Sequence, residues 1–405
     1  MRKNIRYIFA LLGVLICMLA TAQNNTSSPF SCYGLGDIND NVPNTYRAMG
    51  GVGIGMRNNK VICAAQPASI TACDSLTFMF DLAADLLWTN YGDDGGKKNK
   101  INGNLEYITL QFPLYKRYIA LSAGLLPYSS VGYNITLSDS INSDYHYTTN
   151  YYGNGGISEV YGGLSVNLFD WVALGANVYY MFGDVDYSRG VAFTETGVNT
   201  VVQVAATSVS SVRFREGLQF FHTFGKHTFV LGGIFENKRT LKSDYLVAES
   251  TQLDTVWTAK DIMQVPMMFG VGASYTFDKR LTIGFDYSRT YWSKVTAMEG
   301  FDDLRDRNRY VFGLEYRHNP IGRNYAERMF WRVGCNLSDS YVAQIKVPDY
   351  MVSMGLGFPL RNAGTIFNVT FEYGHRGPAK SLEEHYVRMT LNASIAENWF
   401  FKRRL

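Results

Sequence analysis

After residue 75 the apolar and polar residues of this chain alternate with a period of two. Residues 76–88 and 386–395 show it best, because one set of alternate positions is apolar while the other holds Thr77, Asp81 and Asp85, or Arg388 and Asn392. Successive side chains of a strand point to opposite faces, so each strand has one apolar and one polar face. The pattern predicts an all-β fold, a transmembrane antiparallel β-barrel with its apolar face in lipid and its polar face towards a lumen.

Fourteen segments carry this pattern, an even number as in single-chain bacterial barrels. They span residues 75–91, 102–113, 117–135, 157–168, 171–189, 204–224, 226–246, 255–277, 280–296, 308–318, 327–338, 350–359, 365–375 and 385–396. Tight turns, as at Phe169-Asp170, alternate with longer polar stretches such as 136–156. Short turns belong on the periplasmic side of such barrels and long loops outside, so we expect both termini to face the periplasm.

The N-terminus reads as an export signal. Arg2, Lys3 and Arg6 precede the apolar stretch 8–19, and the small residues 20–22 follow it, in the order of a secretory signal peptide. The apolar stretch is shorter than the roughly 20 residues of a transmembrane helix. We therefore expect a signal peptide at residues 1–22, with cleavage before Gln23.

Composition limits the function. Without the three cations of the signal, the chain holds equal numbers of basic and acidic residues, since the full sequence has 38 Lys and Arg and 35 Asp and Glu. A neutral chain argues against a nucleic-acid partner. Aromatic residues make up 15% of the chain, with 28 Tyr and 25 Phe, and membrane barrels use aromatic residues as girdles at both interfaces.

Histidine and cysteine give no sign of catalysis or of a metal site. The six histidines are scattered, and His146, His222 and His375 each lack a nearby nucleophile or acid at a catalytic spacing. We interpret them as girdle or rim residues and predict no enzyme, no cofactor and no metal. The cysteines beyond the signal fit no zinc pattern; Cys63 and Cys73 are close enough in sequence to pair, although a structural role is favoured for all four, which are Cys32, Cys63, Cys73 and Cys335.

Residues 24–74 differ from the rest because they are rich in Gly, Asn and Ser and lack the period of two. Glycine allows the tight bends of a compact segment folded inside a lumen. We predict a plug, or hatch, at residues 23–74 and a transmembrane barrel at 75–405.

The inward phase of the predicted strands carries charges of both signs and many glycines, which favours cross-strand ion pairs over a charge-selective filter. The charged positions are Asp81, Asp85, Arg213, Asp286, Glu315, Arg317, Arg332, Glu372 and Arg388. Glu216 breaks the phase because it falls with Phe214 and Leu218 on the apolar face. The pattern favours a headgroup or extracellular position for it, or a slip of register.

Two stretches of the plug resemble the FadL/TodX family of outer-membrane transporters, which carry long-chain fatty acids and other hydrophobic compounds. They are the run Arg47-Ala48-Met49-Gly50-Gly51-Val52-Gly53-Ile54-Gly55 and the later Gln66-Pro67-Ala68-Ser69. In the second, Gln66 stands where the family has Asn. The opening at 28–37 and the end at 398–405 are similar to Bacteroidetes members. By resemblance, the plug residues are Arg47, Gly50, Gly51, Gly53, Gln66, Pro67 and Ala68.

The resemblance implies a plugged fourteen-stranded barrel in the outer membrane of a Gram-negative bacterium. It further implies that hydrophobic small-molecule cargo leaves sideways into membrane lipid through a gap in the third strand. Proline cannot donate to a strand ladder, so Pro127 marks either this opening, framed by Leu125, Leu126 and Tyr128, or only the end of a strand near the membrane edge. Other expected partners are outer-membrane lipid and the barrel-assembly machinery.

One alternative of the same broad fold stays open. The type IX secretion system includes a FadL-like barrel component that carries secreted proteins, and its start also resembles a Gly-rich plug. Sugar and ion porins are disfavoured because they lack such a hatch. For a transporter, the cations that could pair with a cargo carboxylate are Arg47, Arg57 and Lys60.

Overall fold

A computed structural model describes residues 26–93, 96–142, 145–193, 200–250, 255–295, 304–343, 345, 347–360, 364–377 and 382–398. The predicted signal peptide and the motif at 399–405 lie outside these residues. No helix of the described chain is long and apolar enough to cross a membrane.

Strands dominate the described chain. They are β1 (Asp37–Ile38), β2 (Thr77–Asp93), β3 (Gly96–Tyr115), β4 (Ile119–Asn142), β5 (Tyr145–Phe169), β6 (Val172–Phe193), β7 (Val201–Phe224), β8 (His227–Glu236), β9 (Arg239–Thr240), β10 (Ser243–Ser250), β11 (Thr255–Lys260), β12 (Gln264–Val265), β13 (Met268–Phe277), β14 (Leu281–Thr290), β15 (Arg307–Tyr316), β16 (Phe330–Ser338), β17 (Asp349–Pro359), β18 (Ile366–Arg376) and β19 (Glu383–Asn398). Helices are short: single α-turns at Asn44–Arg47 and Tyr325–Arg328, and 3₁₀ turns at Pro29–Cys32, Pro67–Ala72 and Trp292–Lys294.

Fourteen of these strands, β2–β8 and β13–β19, form a closed antiparallel barrel. Each pairs with its neighbour in sequence order, and β19 closes the ring on β2 through pairs from Glu383–Gly92 to Asn398–Thr77. This confirms the predicted number of strands and the closed barrel. The predicted segments 226–246 and 255–277 were too long, because β8 ends at Glu236 and the hairpin β10–β11 leaves the wall to pair with the outer half of β7.

The outward face carries the apolar residues, with aromatic rows at two heights. Trp171, just before β6, stacks on Phe220 of β7 in the row nearer the short turns, and Tyr180 stacks on Phe182, also of β6, in the row nearer the long loops. The Tyr180 hydroxyl lies 3.0 Å from Ser210 Oγ. Such paired rows are the interfacial girdles of membrane barrels, so the band between them faces hydrocarbon.

Glu216 lies in this band, which corrects its expected headgroup position. The strand does not slip: Glu216 pairs with Ala176, and both point outwards. Along β7 it stands midway between Phe220 in the lower row and Val212, which pairs with Tyr180 of the upper row. The sequence pattern was therefore in register, and one exposed carboxylate faces the middle of the band.

The inward glycines of the wall accept the N-terminal segment, which we define as residues 26–74. At least one glycine on each of eight adjacent strands, β6–β8 and β13–β17, contacts this segment; among them are Gly175, Gly217, Gly232, Gly272, Gly284, Gly313, Gly334 and Gly355. A Cβ at Gly355 would lie 2.6 Å from Ala48 Cβ, much closer than van der Waals contact allows. The segment therefore packs directly against the backbone of these strands on their inward face.

Candidate functional site

The barrel wall has a seam between β3 and β4. Their pairing runs from Tyr115–Ile119 to Ile108–Leu125 and stops there, so no described residue of β3 before Ile108 pairs with β4. Both strands continue beyond this point, β3 paired to β2 and β4 paired to β5. The extracellular half of the wall is thus open at one seam.

The four residues predicted to frame an opening lie where the seam begins. Leu125 makes the last pair with β3 and points outwards, with 38% of its surface exposed, whereas Leu126 and Tyr128 are buried. Pro127 sits at a register shift in the pairing of β4 with β5. Because proline has no N–H to donate, this position suits the point where a ladder is interrupted.

Residues 26–39 of the N-terminal segment, here called the seam segment, lie along the seam. Strand β1 adds to the free edge of β4 through the pairs Asp37–Ser130 and Ile38–Ser129, and the amide of Asn39 donates to the Tyr128 carbonyl at 2.9 Å. Backbone groups left unpaired in hydrocarbon are costly, at several kcal/mol each. The seam segment therefore supplies part of the pairing that β3 leaves out.

Polar residues further along the seam continue this contact. Ser31 Oγ donates to the Gly132 carbonyl at 3.3 Å and accepts from the Gly132 amide at 3.1 Å. On the opposite side, Ser27 Oγ is hydrogen-bonded to the side-chain amide of Asn102 on β3, from whose NH₂ group it accepts at 3.2 Å. The seam segment thus touches both edges of the opening.

Charged side chains of the far wall hold the seam segment in place. Asp37 pairs with Arg376 at 2.7 Å, and Asp40, just after the segment, pairs with Arg307 at 3.0 Å and Arg309 at 3.1 Å. Burial raises the pKa of Asp40, but the two guanidinium groups lower it more, to about 2. Asp40 is therefore ionised at any ordinary pH. The Tyr341 hydroxyl adds hydrogen bonds to the carbonyls of Tyr33 and Gly36, and Ser28 bonds Glu384.

The glycine-rich turn of the predicted plug is held by one carboxylate of the wall. Asp286 of β14 accepts hydrogen bonds from the amides of Gly53 (2.6 Å), Ile54 (2.8 Å) and Gly55 (3.1 Å). Three converging N–H groups form a concave anion site of the kind called a nest. Gly50 and Gly51 precede it with φ of 77° and 90°, which only glycine adopts readily.

Arg47 joins the segment to the wall through two buried carboxylates. Its guanidinium bonds Glu372 in a bidentate manner, at 2.9 and 2.8 Å, and Glu106 at 2.6 Å. Arg388 lies beside this group, 3.1 Å from Asp85 and 3.6 Å from Glu372. Burial lowers the pKa of Arg47, but the two glutamates raise it more, so the pKa lies well above its ordinary value. Glu372 thus occupies the Nε–Nη2 edge of Arg47 and Glu106 bonds its Nη1, so three of the five guanidinium N–H groups are already engaged.

Gln66, Pro67 and Ala68 pack against β6 and β7 at Gly175 and Gly217. The Gln66 side chain accepts from the Ala68 amide at 3.3 Å, which caps the 3₁₀ turn, and donates to the Ile54 carbonyl at 3.0 Å. Gln66 thereby ties the glycine turn to the following 3₁₀ turn. A residue with a side-chain amide suits this position because it needs both a donor and an acceptor.

The other two predicted cations lie near the opposite, periplasmic end. Arg57 donates to the Ala68 carbonyl at 3.0 Å and lies 3.9 Å above the Phe221 ring. Burial lowers the pKa of Arg57 to about 10. Lys60 is half-buried in the same segment. These cations and Arg47 are not gathered at one site.

A cavity of about 170 Å³ opens beside the seam. Its borders include Asp37, Asp40, Arg47, Glu106, Pro127 and Arg307. Pockets for small molecules usually measure about 300–1,000 Å³ and are mostly apolar. This cavity is smaller and its walls are charged, so it does not match an apolar ligand.

The structure also brings together residues that sequence analysis kept apart. His375, Glu383 and His385 form a cluster at the extracellular end of β18 and β19. The hairpin signal was present, since both histidines flank one loop, but only the strand register shows that they face each other. The four described cysteines are free thiols, so Cys63 and Cys73 do not form a disulfide here.

The chain is similar in structure to a FadL homologue of Pseudomonas aeruginosa (12% identity, 90% of this chain and 99% of the other, TM-score 0.63) and to the toluene transporter TbuX of Ralstonia pickettii (14%, 88% and 98%, 0.61). It is also similar to the monoaromatic hydrocarbon channel CymD (13%, 91% and 100%, 0.59). These likenesses support the fold. No curated protein matches the chain, and a family model described as BamG matches residues 1–405.

Proposed function

The chain belongs to the BamG family, and from that membership and its closed interior we propose that it serves the assembly of other β-barrels in the outer membrane. The family name supports this proposal, because Bam denotes the barrel-assembly machinery. In this role the chain acts as a membrane-embedded accessory subunit, and its N-terminal segment acts as a plug that keeps the barrel shut.

The observation that carries this proposal is the way the interior is filled. The wall glycines admit the backbone of the segment, Asp286 binds its glycine turn, and Arg47 forms buried ion pairs with Glu106 and Glu372. A channel for apolar compounds needs an apolar path, whereas these contacts are charged and buried. Such an interior suits a scaffold better than a conduit.

Depletion of the chain in its own host tests the proposal. If it serves barrel assembly, other outer-membrane barrels lose their folded, heat-modifiable form within a few generations, and re-expression restores it. Leu391→Arg, which places a cation on the lipid face of β19 where Leu391 is 43% exposed, provides a variant that fails to insert. Unchanged amounts of folded barrels after depletion would overturn the proposal.

A second candidate function is transport of long-chain fatty acids or other hydrophobic compounds with lateral release into the membrane. The seam between β3 and β4 favours it, since Leu125 lies at its lower end and faces lipid. In this reading the seam segment moves aside to let cargo out. Pro127→Val supplies the backbone N–H that proline lacks at the lower end of the seam, so that β4 can extend its pairing there, and it should then reduce uptake of a labelled fatty acid without reducing barrel abundance.

Ala176→Trp is the matched control for that experiment, because Ala176 also faces outwards but lies on β6, away from the seam. Normal uptake by cells that lack the whole chain would rule out transport. The same cells also test the third hypothesis, type IX secretion, against the other two. In that case secreted proteins stay in the cell while folded barrels and fatty-acid uptake remain normal.

A further inference from the structure

Two histidines face each other across the last hairpin of the barrel. His375 of β18 and His385 of β19 are direct partners in the register, and their rings lie 4.7 Å apart. Glu383 is two residues before His385 and so points to the same side of β19. One ligand atom from each of the three lies within 4.8 Å of the others.

The hydrogen bonds around the pair leave nitrogen atoms available. The Tyr373 hydroxyl lies 2.9 Å from His385 Nδ1, which leaves Nε2 directed towards Glu383, 3.9 Å from its Oε2. A hydrogen bond to one ring nitrogen fixes the other as a metal ligand in many sites. His375 Nδ1 is buried and has no hydrogen-bond partner among the described residues, although buried polar atoms are normally paired.

We propose that His375, His385 and Glu383 bind a divalent transition-metal ion, with Zn²⁺ as the best match. Two imidazoles and one carboxylate are a common zinc ligand set that leaves a fourth position for water. The ligand atoms need to close by up to about 1.5 Å, since the ligands of a tetrahedral ion lie roughly 3–3.5 Å apart. Half-buried side chains at a strand end allow that adjustment.

One neighbouring charge competes with the ion. Lys97 lies 3.5 Å from Glu383 Oε1, but its side chain is 61% exposed, and an exposed ion pair of this kind contributes little. The bound ion replaces it. Tyr350 stacks on His375 with ring centres 5.0 Å apart and fixes the plane of that imidazole.

The position gives the ion a structural consequence. The inward neighbours of the two histidines, Arg376 and Glu384, are also direct partners and hold the seam segment through Asp37 and Ser28. An ion that clamps β18 to β19 on the outside therefore braces the hairpin that holds the seam segment on the inside.

Zinc titration of the purified, untagged full chain in detergent tests the proposal, with isothermal calorimetry as the readout. We expect one Zn²⁺ per chain, loss of binding in His385→Ala and His375→Ala, and unchanged binding in His222→Ala, which removes a histidine far away on β7. Heat-modifiable migration shows that each variant is folded.

If the alanine variants do not fold, Tyr373→Phe tests the proposal instead. It keeps the ring and removes only the hydroxyl that orients His385. We expect about a 10-fold rise in Kd for this variant, as for other second-layer ligands. Absence of stoichiometric binding to the unmodified chain would overturn the proposal, as would equal affinity in His222→Ala, Tyr373→Phe and the unmodified chain. In either case His375 and His385 serve only as stacked aromatic rings with Tyr350 and Tyr373.

Discussion

Arg47→Met tests whether the buried ion pairs keep the barrel closed. In the unmodified chain Arg47 and Arg388 share the carboxylates of Asp85, Glu106 and Glu372. The substitution keeps most of the side-chain volume but leaves three buried carboxylates with one guanidinium. Arg388 cannot replace the lost contacts where it stands, because its Nη1 lies 3.6 Å from Glu372 and 3.9 Å from Glu106.

Removing one partner of a buried ion pair costs about 3–5 kcal/mol. The strain is relieved when the N-terminal segment leaves the wall and water reaches the carboxylates. Since about 1.4 kcal/mol is a factor of ten in an equilibrium constant, the ratio of seated to displaced segment should fall by about 10²–10⁴-fold.

Planar-bilayer recording measures this ratio as the fraction of time that a single barrel conducts ions. We expect rare openings in the unmodified chain and frequent ones in Arg47→Met. Arg57→Met is the matched control, because Arg57 lies in the same segment but hydrogen-bonds only uncharged groups, Ala68, Gln219 and Thr71. It should open far less often.

A rescue variant separates charge imbalance from misfolding. Adding Glu106→Gln and Glu372→Gln to Arg47→Met removes two of the uncompensated charges, so openings should become rare again. The reasoning is refuted if folded Arg47→Met stays as silent as the unmodified chain, or if the rescue variant conducts as often as Arg47→Met alone.

Gly334→Val should displace the N-terminal segment and raise conductance, because a Cβ there would overlap the Met49–Gly50 backbone. The control Gly162→Val, at an open outward position, should not raise conductance, and equal conductance of the two variants would contradict the packing. The pKa of Asp40 lies at about 2 in the folded chain, below the value of about 3.9 for an unfolded Asp. The contribution of Asp40 to holding the segment is therefore complete above about pH 3.9 and is lost as the pH falls through about 2. Bilayer recordings should stay quiet from pH 8 to pH 4, and channel opening near pH 5 would disprove this. Glu216→Leu should stabilise the barrel in lipid vesicles by about 1–2 kcal/mol in denaturant titrations, since a carboxylate at mid-band is unfavourable; no gain would place Glu216 outside the hydrocarbon.

Alternation was enough to predict the barrel, because strand geometry assigns each residue to a face without knowledge of its partners. Leu391 and Asn392 were placed on the outward and inward faces, and the structure has Leu391 exposed and Asn392 buried. The pattern could not show what the inward face meets. Asn392 was expected to line a lumen, but it donates to the Leu82 carbonyl and bonds Asp81 in a packed interior.

For the same reason, ion pairs between residues that are distant in sequence could not be predicted from the pattern. Arg47 and Glu372 are 325 residues apart, and nothing in either local pattern links them. Their meeting depends on the register of every strand between β2 and β18 and on the path of the segment inside. The inward glycines stand out in the sequence as a group, but their role depends on the N-terminal segment that they contact.

Closure of the lumen and closure of the seam depend on one continuous piece of chain. Residues 26–39 lie along β4, whereas Arg47, the glycine turn and the Gln66 turn fill the interior below. Asp40 joins the two parts, since Arg307 and Arg309 bind it where the seam segment ends and Arg309 also donates to the Gly51 carbonyl at 3.3 Å. A force that opens the seam must therefore also act on the contacts between the rest of the N-terminal segment and the wall. A partner that paired with the free edge of β4 would compete with β1 for Ser129 and Ser130, and through Asp40 it would also loosen the plug.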